Sequence, residues 1–357
     1  MTTTLASETP VPISSRNLET MLAFSRSIFC LKDNPAYLAA LADKLPTAAR
    51  IATVWPSVLM GFDFHLTPDG PKLIEINNNA GGLYIGDGRW LPQAAYNHMP
   101  GTLTERLTAM FPKQWANIAI MDEDVTGQYM YPEMCAYAEL LRSDGRSACV
   151  VSPEDLQTKK DSRLTYKEKA VDAIYNRHTD FYLDSAELTH IRAAYAAGKV
   201  VFNPHPRSYA LIGDKTRMVD WWRPGLLERC VDAVQVAEIR AVTPETHRMA
   251  EMNPEVIWAQ RKLWVFKPAA RHGGKGVVLG KAMSRKRFES LNPVDTIVQQ
   301  LVPASEVEVE EGTRMKLDIR LYMHGENLIA LAGRVWRGQL TNFREAGSGW
   351  VSLSIEG

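Results

Sequence analysis

Two carboxylates and an amide form the most suggestive group of side chains in this sequence. Asp63 ends a short apolar run, and Glu75 and Asn77 lie two residues apart in KLIEIN, after a TPDG turn. This pattern predicts a β-hairpin. Because residues two apart on a strand point to the same face, Glu75 and Asn77 share a face, and Asp63 can lie opposite them. Oxygen ligands of this kind suit a hard cation, so the hairpin predicts a Mg²⁺ site.

A second group is basic and rich in glycine. Lys267 ends the predicted strand LWVFK, which Pro268 stops. The loop that follows contains Arg271, His272, Gly273, Gly274, Lys275 and Gly276. Glycines let the backbone approach a phosphate closely, and the cations supply charge. A strand rather than a helix follows, and the GxxxxGK[ST] spacing is absent, which favours a flap over phosphates rather than a P-loop. A plain hairpin turn with a solvated lysine fits the pattern equally well.

A third group interrupts an apolar strand near the end of the sequence. Asp318 and Arg320 share one face of KLDIRLYM, where an unpaired charge is costly. The next segment adds Arg334, Arg337, Asn342 and Arg344. Arginine binds phosphate or carboxylate oxygens through two N–H groups, so the cluster suits an anionic ligand. For Arg337 and Arg344, a solvated sheet face is an equally good explanation.

The rest of the sequence shows which elements must position these groups. Helical spacing covers residues 15–50, a polar helix is predicted near 102–111, and residues 1–13 are predicted to be loose. From about 116 to 206 strands and helices alternate, which predicts a parallel α/β layer. No GxGxxG follows its first strand, which argues against a Rossmann dinucleotide site.

Three isolated cations complete the candidates. Arg177 and Arg207 come just after predicted parallel strands, at the sheet edge where open α/β folds bind ligands. Each could hold a substrate carboxylate or cap local backbone. Lys215, in GDKTRM, would on its own be a surface lysine. The sequence has no HExxH and no GxSxG motif, which gives no support to a zinc protease or an α/β-hydrolase.

The composition is that of an ordinary globular protein. The 357 residues are 45% hydrophobic and 23% charged, and Lys+Arg and Asp+Glu are both 41. This balance gives no indication of nucleic-acid binding. The four cysteines have no CxxC spacing, and neither a signal pattern nor an apolar run of membrane-spanning length is present. We expect a soluble cytoplasmic protein with small-molecule partners and no nucleic-acid or membrane partner. The sequence is compatible with a homo-oligomer but does not determine the oligomeric state.

Taken together, the motifs resemble the ATP-grasp superfamily in circularly permuted order, and they are similar in order to eukaryotic-type glutathione synthetases. Members normally place the Asp and ExN motifs last, whereas here Asp63 and Glu75-Ile76-Asn77 come first. The resemblance covers the chain from about residue 55 onward. It implies an α/β fold with α+β lobes: a circularly permuted ATP-grasp fold with a parallel α/β substrate domain and a mobile lid.

The resemblance also implies a role for each motif. Lys215 and Lys267 would hold the ATP phosphates under a flap formed by Gly273, Gly274 and Lys275. The hinge beside the adenine would be Gln299, Gln300, Leu301 and Val302. The Mg²⁺ ligands would be Asp63, Glu75 and Asn77. Arg320 would steady the transferred phosphate, with Arg334 and Asn342 in the catalytic group, and Arg177 and Arg207 would hold substrate.

The resemblance divides the chain into three parts and has one departure. Residues 1–113 with 301–357 would form the metal- and phosphate-binding lobe, 114–210 the substrate domain, and 211–300 the lid lobe. Related glutathione synthetases carry an acidic metal ligand after KP, where this sequence has AARH, so we expect a product other than glutathione. We expect an ATP- and Mg²⁺-dependent carboxylate–amine ligase. The alternatives are an ATP-grasp kinase and a nucleotide-binding module without turnover.

Overall fold

The computed structural model describes residues 5–86, 88–93, 99–269, 276–310, 312–339, 341 and 347–357. In chain order, the strands are β1 (Leu5–Ser14), β2 (Met60–Thr67), β3 (Gly70–Asn77), β4 (Asn117–Met121), β5 (Ser147–Val151), β6 (Gln157–Thr158), β7 (Leu164–Tyr166), β8 (Lys169–Ala170), β9 (Ala173–Asn176), β10 (Val201–Asn203), β11 (Thr246–Arg248), β12 (Trp264–Pro268), β13 (Val278–Leu279), β14 (Thr296–Gln300), β15 (Ser305–Glu310), β16 (Thr313–His324), β17 (Asn327–Trp336) and β18 (Gly349–Glu356). The helices are α1 (Ser15–Lys32), α2 (Pro35–Leu41), α3 (Leu103–Ala109), α4 (Tyr131–Ser143), α5 (Thr189–Ala196), α6 (Pro206–Ser208), α7 (Thr216–Trp222), α8 (Leu227–Cys230), α9 (Ala233–Val242), α10 (Pro254–Ala259) and α11 (Arg285–Glu289). None of the helices in these ranges is long and apolar enough to cross a membrane.

The largest sheet brings together strands from both ends of the chain. Its order is β1-β18-β17-β16-β2-β3, and β15 also pairs with β16. Strand β16 explains how one strand can be both core and site. Its apolar residues Leu317, Ile319 and Leu321 are buried in the same core cluster as residues of α1. Because strand residues alternate between faces, Asp318 and Arg320 point to the opposite face.

The parallel layer predicted from residue 116 onward is confirmed. Its strand order is β10-β9-β4-β5, and every pair is parallel. The chain passes from β4 to β5 on one side and later returns to β9 on the other side of β4. The order therefore reverses between β4 and β9, which makes the crevice at their carboxyl ends the expected ligand site of this sheet. A small sheet, β6-β7-β8, is inserted between β5 and β9 and was not predicted.

A separate antiparallel sheet, which we call the lid sheet, has the order β11-β14-β12-β13. It carries the predicted phosphate lysine on β12 and the predicted hinge at the end of β14. It has its own apolar cluster, which includes Ile257, Phe266, Phe288 and Val298. The sheets thus fall within the three predicted parts of the chain, and the domain boundaries themselves stay a prediction.

The prediction that residues 1–13 are loose is wrong for the described residues. Strand β1 pairs in parallel with β18, with Val11 opposite Leu353 and Ile13 opposite Ile355. Val11 and Ile13 are buried. The sequence gives little sign of this strand because two prolines interrupt it and because its partner lies at the far end of the chain.

The segment after Ser208 is helical but interrupted, although its sequence, SYALIGDKTRMVDWW, is typical of a single helix. A π-helical turn covers Tyr209–Gly213, and α7 begins only at Thr216. The break follows from Asp214, whose carboxylate accepts hydrogen bonds from the backbone N–H and the hydroxyl of Thr216. The break places Lys215 at the start of α7 instead of inside a continuous helix.

Candidate active site

Strands β2 and β3 form the predicted hairpin and bring its three polar residues together. Asp63 lies directly opposite Glu75 in the ladder. The Asn77 Nδ2 group donates to Asp63 Oδ2 at 3.0 Å and to Glu75 Oε1 at 3.3 Å. A β-bulge lies between these pairs and the next one, because Phe64 faces Leu73 and leaves Ile74 as the extra residue.

Asp63 is held by two arginines from neighbouring strands. Its carboxylate accepts from Arg320 Nε at 2.6 Å, from Arg320 Nη2 at 2.7 Å and from Arg334 Nη2 at 2.7 Å. Arg334 also donates from Nε to Asp318 Oδ1 at 2.6 Å. We call Asp63, Asp318, Arg320 and Arg334 the Arg–Asp network. Burial alone would raise the pKa of Asp63, but the two guanidinium groups lower it overall.

The network leaves little of Asp63 for a metal. With the bond from Asn77, Oδ2 accepts three N–H donors and Oδ1 accepts one, so these contacts use most of what a carboxylate can accept. The role of Asp63 as a metal ligand therefore stays a prediction. In this structure its carboxylate is paired with Arg320 and Arg334.

Glu75 and Asn77, which we call the acid–amide corner, are in a different state. Both side chains are half-buried and line a cavity. Among the described residues, no donor bonds to Asn77 Oδ1, and Glu75 accepts only the bond from Asn77. The corner therefore offers a carboxylate and an amide oxygen. Mg²⁺ in nucleotide sites commonly takes one or two carboxylates together with phosphate oxygens, so these residues fit such an ion.

Lys267 reaches this corner from the lid sheet. Its ammonium is buried and donates to Gln299 Oε1 at 2.5 Å and to the Ile74 carbonyl at 3.1 Å. Burial lowers its pKa to about 8; nearby Glu75 opposes this shift and Lys215 adds to it. Lys215 lines the same cavity. The two predicted phosphate lysines thus lie on one site, although they come from different elements.

Two adjoining cavities meet at the acid–amide corner. The larger one has a volume of about 750 Å³ and extends from this corner to the predicted hinge. Its hinge end is lined by Val265, Leu279, Gln299, Gln300, Leu301 and Val302. The Val302 carbonyl bonds to His65 Nδ1 at 2.8 Å, and the Leu301 N–H donates to the Leu263 carbonyl. The Val302 N–H has no acceptor in the part of the chain that the structure describes, so it is a backbone donor at an apolar surface.

A smaller cavity of about 370 Å³ adjoins the larger one. The residues that line both cavities, which we call the junction, are Glu75, Asn77, Tyr129, Lys215, Arg320 and Arg334. Asp122 and Arg177, which follow β4 and β9, also line the smaller cavity. The smaller cavity therefore occupies the crevice where the order of the parallel sheet reverses.

The remaining predicted site residues have mixed positions. Arg177 is buried and donates from Nη1 to the Ala80 carbonyl at 2.9 Å and to the Tyr175 hydroxyl at 3.2 Å. Arg207 lines neither cavity, and its Nη1 donates to the Ala49 carbonyl at 3.4 Å. The predicted flap residues Gly273, Gly274 and Lys275, and the predicted catalytic Asn342, lie outside the described residues.

Asp122 is a candidate that the sequence reasoning missed. It directly follows the buried strand β4, and its Oδ1 accepts the Glu123 N–H at 2.9 Å. Burial raises the pKa of this carboxyl. Among the described residues, no donor bonds to its Oδ2. The signal was present, since an acidic residue directly after a buried parallel strand occupies the same kind of position as Arg177.

Comparison with known proteins shows the fold. No protein-family model and no curated protein matches the chain at a significant level. A glutathione-synthetase-like effector from Globodera pallida superposes with a TM-score of 0.62 at 11% identity, over 97% of this chain and 88% of that chain. A putative gamma-glutamylcysteine synthetase from Methylobacillus flagellatus superposes with a TM-score of 0.54 at 12% identity, over 92% and 86%.

A third match, the ATP-grasp ligase PsnB in complex with a minimal precursor, has a TM-score of 0.38 at 14% identity and covers 66% of this chain and 75% of that chain. The first two matches extend over nearly the whole chain. The chain therefore has the fold of glutathione-synthetase-like proteins, the circularly permuted ATP-grasp fold.

Proposed function

We propose that this protein is an ATP- and Mg²⁺-dependent ligase that joins a carboxylate to an amine through an acyl phosphate. The junction between the two cavities is the observation that carries this proposal. Cations and the acid–amide corner lie where the cavities meet. A ligase needs such a meeting point, because a bound nucleotide and a bound acceptor must come together at the transferred phosphate.

The larger cavity suits ATP in both chemistry and size. Lys215 and Lys267 would bind phosphate oxygens, and the Val302 N–H would donate to the adenine edge between apolar walls. Glu75 and Asn77 would hold Mg²⁺, which when bound neutralises the phosphate charge during transfer.

The Arg–Asp network would serve the transfer itself. Its ion pairs fix the Arg320 and Arg334 guanidinium groups at the junction before any substrate arrives. Preorganised cations of this kind stabilise the charge that develops on a transferred phosphate without a further cost of orientation. In the smaller cavity, Asp122 Oδ2 would accept an ammonium group, and that carboxylate supports an amine as the second substrate.

A trapping experiment tests the proposal. The protein would be incubated with Mg·ATP and pools of small carboxylic acids and amino acids, with and without hydroxylamine. A ligase releases ADP and phosphate and, with hydroxylamine, converts its acid to a hydroxamate. ADP formed with the phosphate retained on the acceptor and no hydroxamate would indicate a kinase. Nucleotide binding without ADP in any pool would indicate a binding module and contradict the proposal.

A further inference from the structure

The glycine-rich segment 80–84 connects the acid–amide corner to the smaller cavity, and two of its glycines are required by close packing. A Cβ atom on Gly81 would lie 2.5 Å from Arg177 Nη2. A Cβ on Gly82 would lie 2.1 Å from the Trp350 ring, and the φ of Gly82 is +102°. No other residue type fits either position without displacing its neighbours. The segment is therefore built to approach other groups through its backbone.

The Gly81–Gly82 peptide group is held by opposite charges on its two sides. The Gly82 N–H donates to Glu133 Oε2 at 2.7 Å. The Gly81 carbonyl accepts from the Tyr322 hydroxyl at 2.9 Å and from Arg320 Nη1 at 3.3 Å. Because this N–H and this C=O belong to the same peptide, a carboxylate on one side and a guanidinium on the other polarise it in the same direction, and each bond strengthens the other.

Glu133 reaches this peptide from α4, in the parallel layer, and is buried. Its Oε2 also accepts the Tyr84 N–H at 3.1 Å, and its Oε1 lies 4.0 Å from Arg177 Nη2. Burial raises the pKa of the Glu133 carboxyl, and Arg177 and the N–H groups oppose this shift only in part. Glu133 lines neither cavity, so it does not touch a ligand that occupies them.

We propose that Glu133 is a positioning residue, which sets the place of the Arg320 guanidinium at the junction by way of the Gly81–Gly82 peptide. It thereby links the parallel layer, which borders the smaller cavity, to the arginine assigned to phosphate transfer. The inference rests on the proposed function for its catalytic consequence. Its structural content, the coupling through one peptide, does not depend on that function and can be measured alone.

The sequence allows this peptide to be observed directly. Only two Gly–Gly pairs occur, Gly81-Gly82 and Gly273-Gly274. Deuterated protein labelled with glycine carrying ¹³C at its carbonyl and ¹⁵N therefore gives only two cross-peaks in an HNCO spectrum. Gly273→Ala removes one of them and so assigns the other to Gly81–Gly82. We expect Glu133→Gln to move both the Gly82 amide proton and the Gly81 carbonyl carbon. The exposed Glu139→Gln, on the same helix, should move neither.

A second variant tests the coupling without altering Glu133. Tyr322→Phe removes a donor to the Gly81 carbonyl and leaves the Gly82 N–H bond in place. The Gly82 amide proton should still move upfield, because its partner across the peptide is weakened. An unchanged amide proton in Tyr322→Phe, or an unchanged Gly81 carbonyl in Glu133→Gln, would overturn the proposal. These measurements need no substrate, so their outcome is independent of the ligase assignment.

The catalytic consequence is measured with the acid and amine found by trapping. Glu133→Gln should lower kcat on the order of tenfold, a common effect of removing an outer partner of a functional group. The Kd for the ATP analogue AMP-PNP with Mg²⁺ should stay unchanged by calorimetry, since Lys267 and the hinge are untouched. A parallel loss of nucleotide affinity and kcat would show a merely structural role and contradict positioning.

Discussion

The Arg–Asp network and the acid–amide corner lie side by side, yet they hold the same kind of group in opposite states. Asp63 is fully buried and accepts four N–H donors. Glu75, directly opposite it in the ladder, is half-buried and accepts one from the part of the chain that the structure describes. A carboxylate with filled lone pairs can shape a site, whereas one with open lone pairs can bind a ligand. The environment, not the residue type, separates the two roles.

The largest effect is expected for Glu75, the carboxylate that can still bind a ligand. Glu75→Gln keeps the side-chain volume but removes the charge that would hold Mg²⁺, so ADP formation should fall by roughly 1,000-fold, as for loss of a key electrostatic group. The free energy of unfolding should change by no more than about 1 kcal/mol. Among the described residues Glu75 makes one long hydrogen bond, which glutamine can keep, and its attraction to Lys267 acts from a half-buried position. Near-normal turnover with Mg²⁺ would remove Glu75 from the metal site.

For Asp63, whose carboxylate is already paired, we expect the main effect on stability. Asp63→Asn leaves two guanidinium groups without their shared counter-charge, so the free energy of unfolding should fall by about 3–5 kcal/mol. Urea denaturation followed by circular dichroism measures this loss. Stability equal to that of Glu75→Gln would mean that the two carboxylates are equivalent and would break the comparison.

Arginine geometry gives the next effect in size. Arg334 donates to both Asp63 and Asp318, which a lysine ammonium cannot do with the same planar fork. Arg334→Lys should therefore lower kcat by roughly 10- to 100-fold, in line with about 1.5–3 kcal/mol for a hydrogen bond to a charged group. Arg337→Lys is the matched control, because Arg337 is exposed just beyond β17. Equal losses in the two variants would show that the paired geometry of Arg334 is not the cause of the loss.

The smallest effect is a pH dependence. Since burial lowers the pKa of Lys267 to about 8, its positive charge is lost as pH rises through that value. Affinity for AMP-PNP should weaken above pH 8, by at most about tenfold per pH unit, and binding near pH 8.5 should take up a proton. Calorimetry in buffers of different ionisation enthalpy measures that uptake.

Lys267→Arg is the control for this titration, because arginine stays charged throughout the range. Undiminished proton uptake in that variant would assign the titration to another group. The free energy of unfolding of the nucleotide-free protein depends on pH in the opposite direction. Unfolded Lys267 binds a proton up to about pH 10.5, whereas the folded residue releases it near 8. The contribution of Lys267 to the free energy of unfolding therefore rises with pH between these values.

Much of the fold could be predicted because its signals are local. Alternation of apolar and polar residues gave β16, the turn after Thr67 gave the β2–β3 hairpin, and strand–helix alternation gave the parallel layer. Each of these patterns lies within a window of about 10–20 residues. The order of the motifs then indicated the permuted fold, since order is read along the chain.

The features that could not be predicted depend on contacts between segments that are distant in the sequence. The sequence shows Asp63 and Arg320, but their pairing follows from the register between β2 and β16, which no local pattern determines. The same holds for β1 and β18, which pair from opposite ends of the chain. Glu133 looks like an ordinary residue of an amphipathic helix, and its contacts with Gly82, Tyr84 and Arg177 are what distinguish it.

The β-bulge at Ile74 has a mechanical consequence. Because the extra residue has no partner in the ladder, its carbonyl is free to accept the Lys267 ammonium, which belongs to the lid sheet. This hydrogen bond thus connects the lid sheet to the largest sheet at the site. A phosphate that draws the ammonium toward itself must compete with that carbonyl. Nucleotide binding would therefore weaken the hydrogen bond between Lys267 and Ile74, and with it this connection between the two sheets.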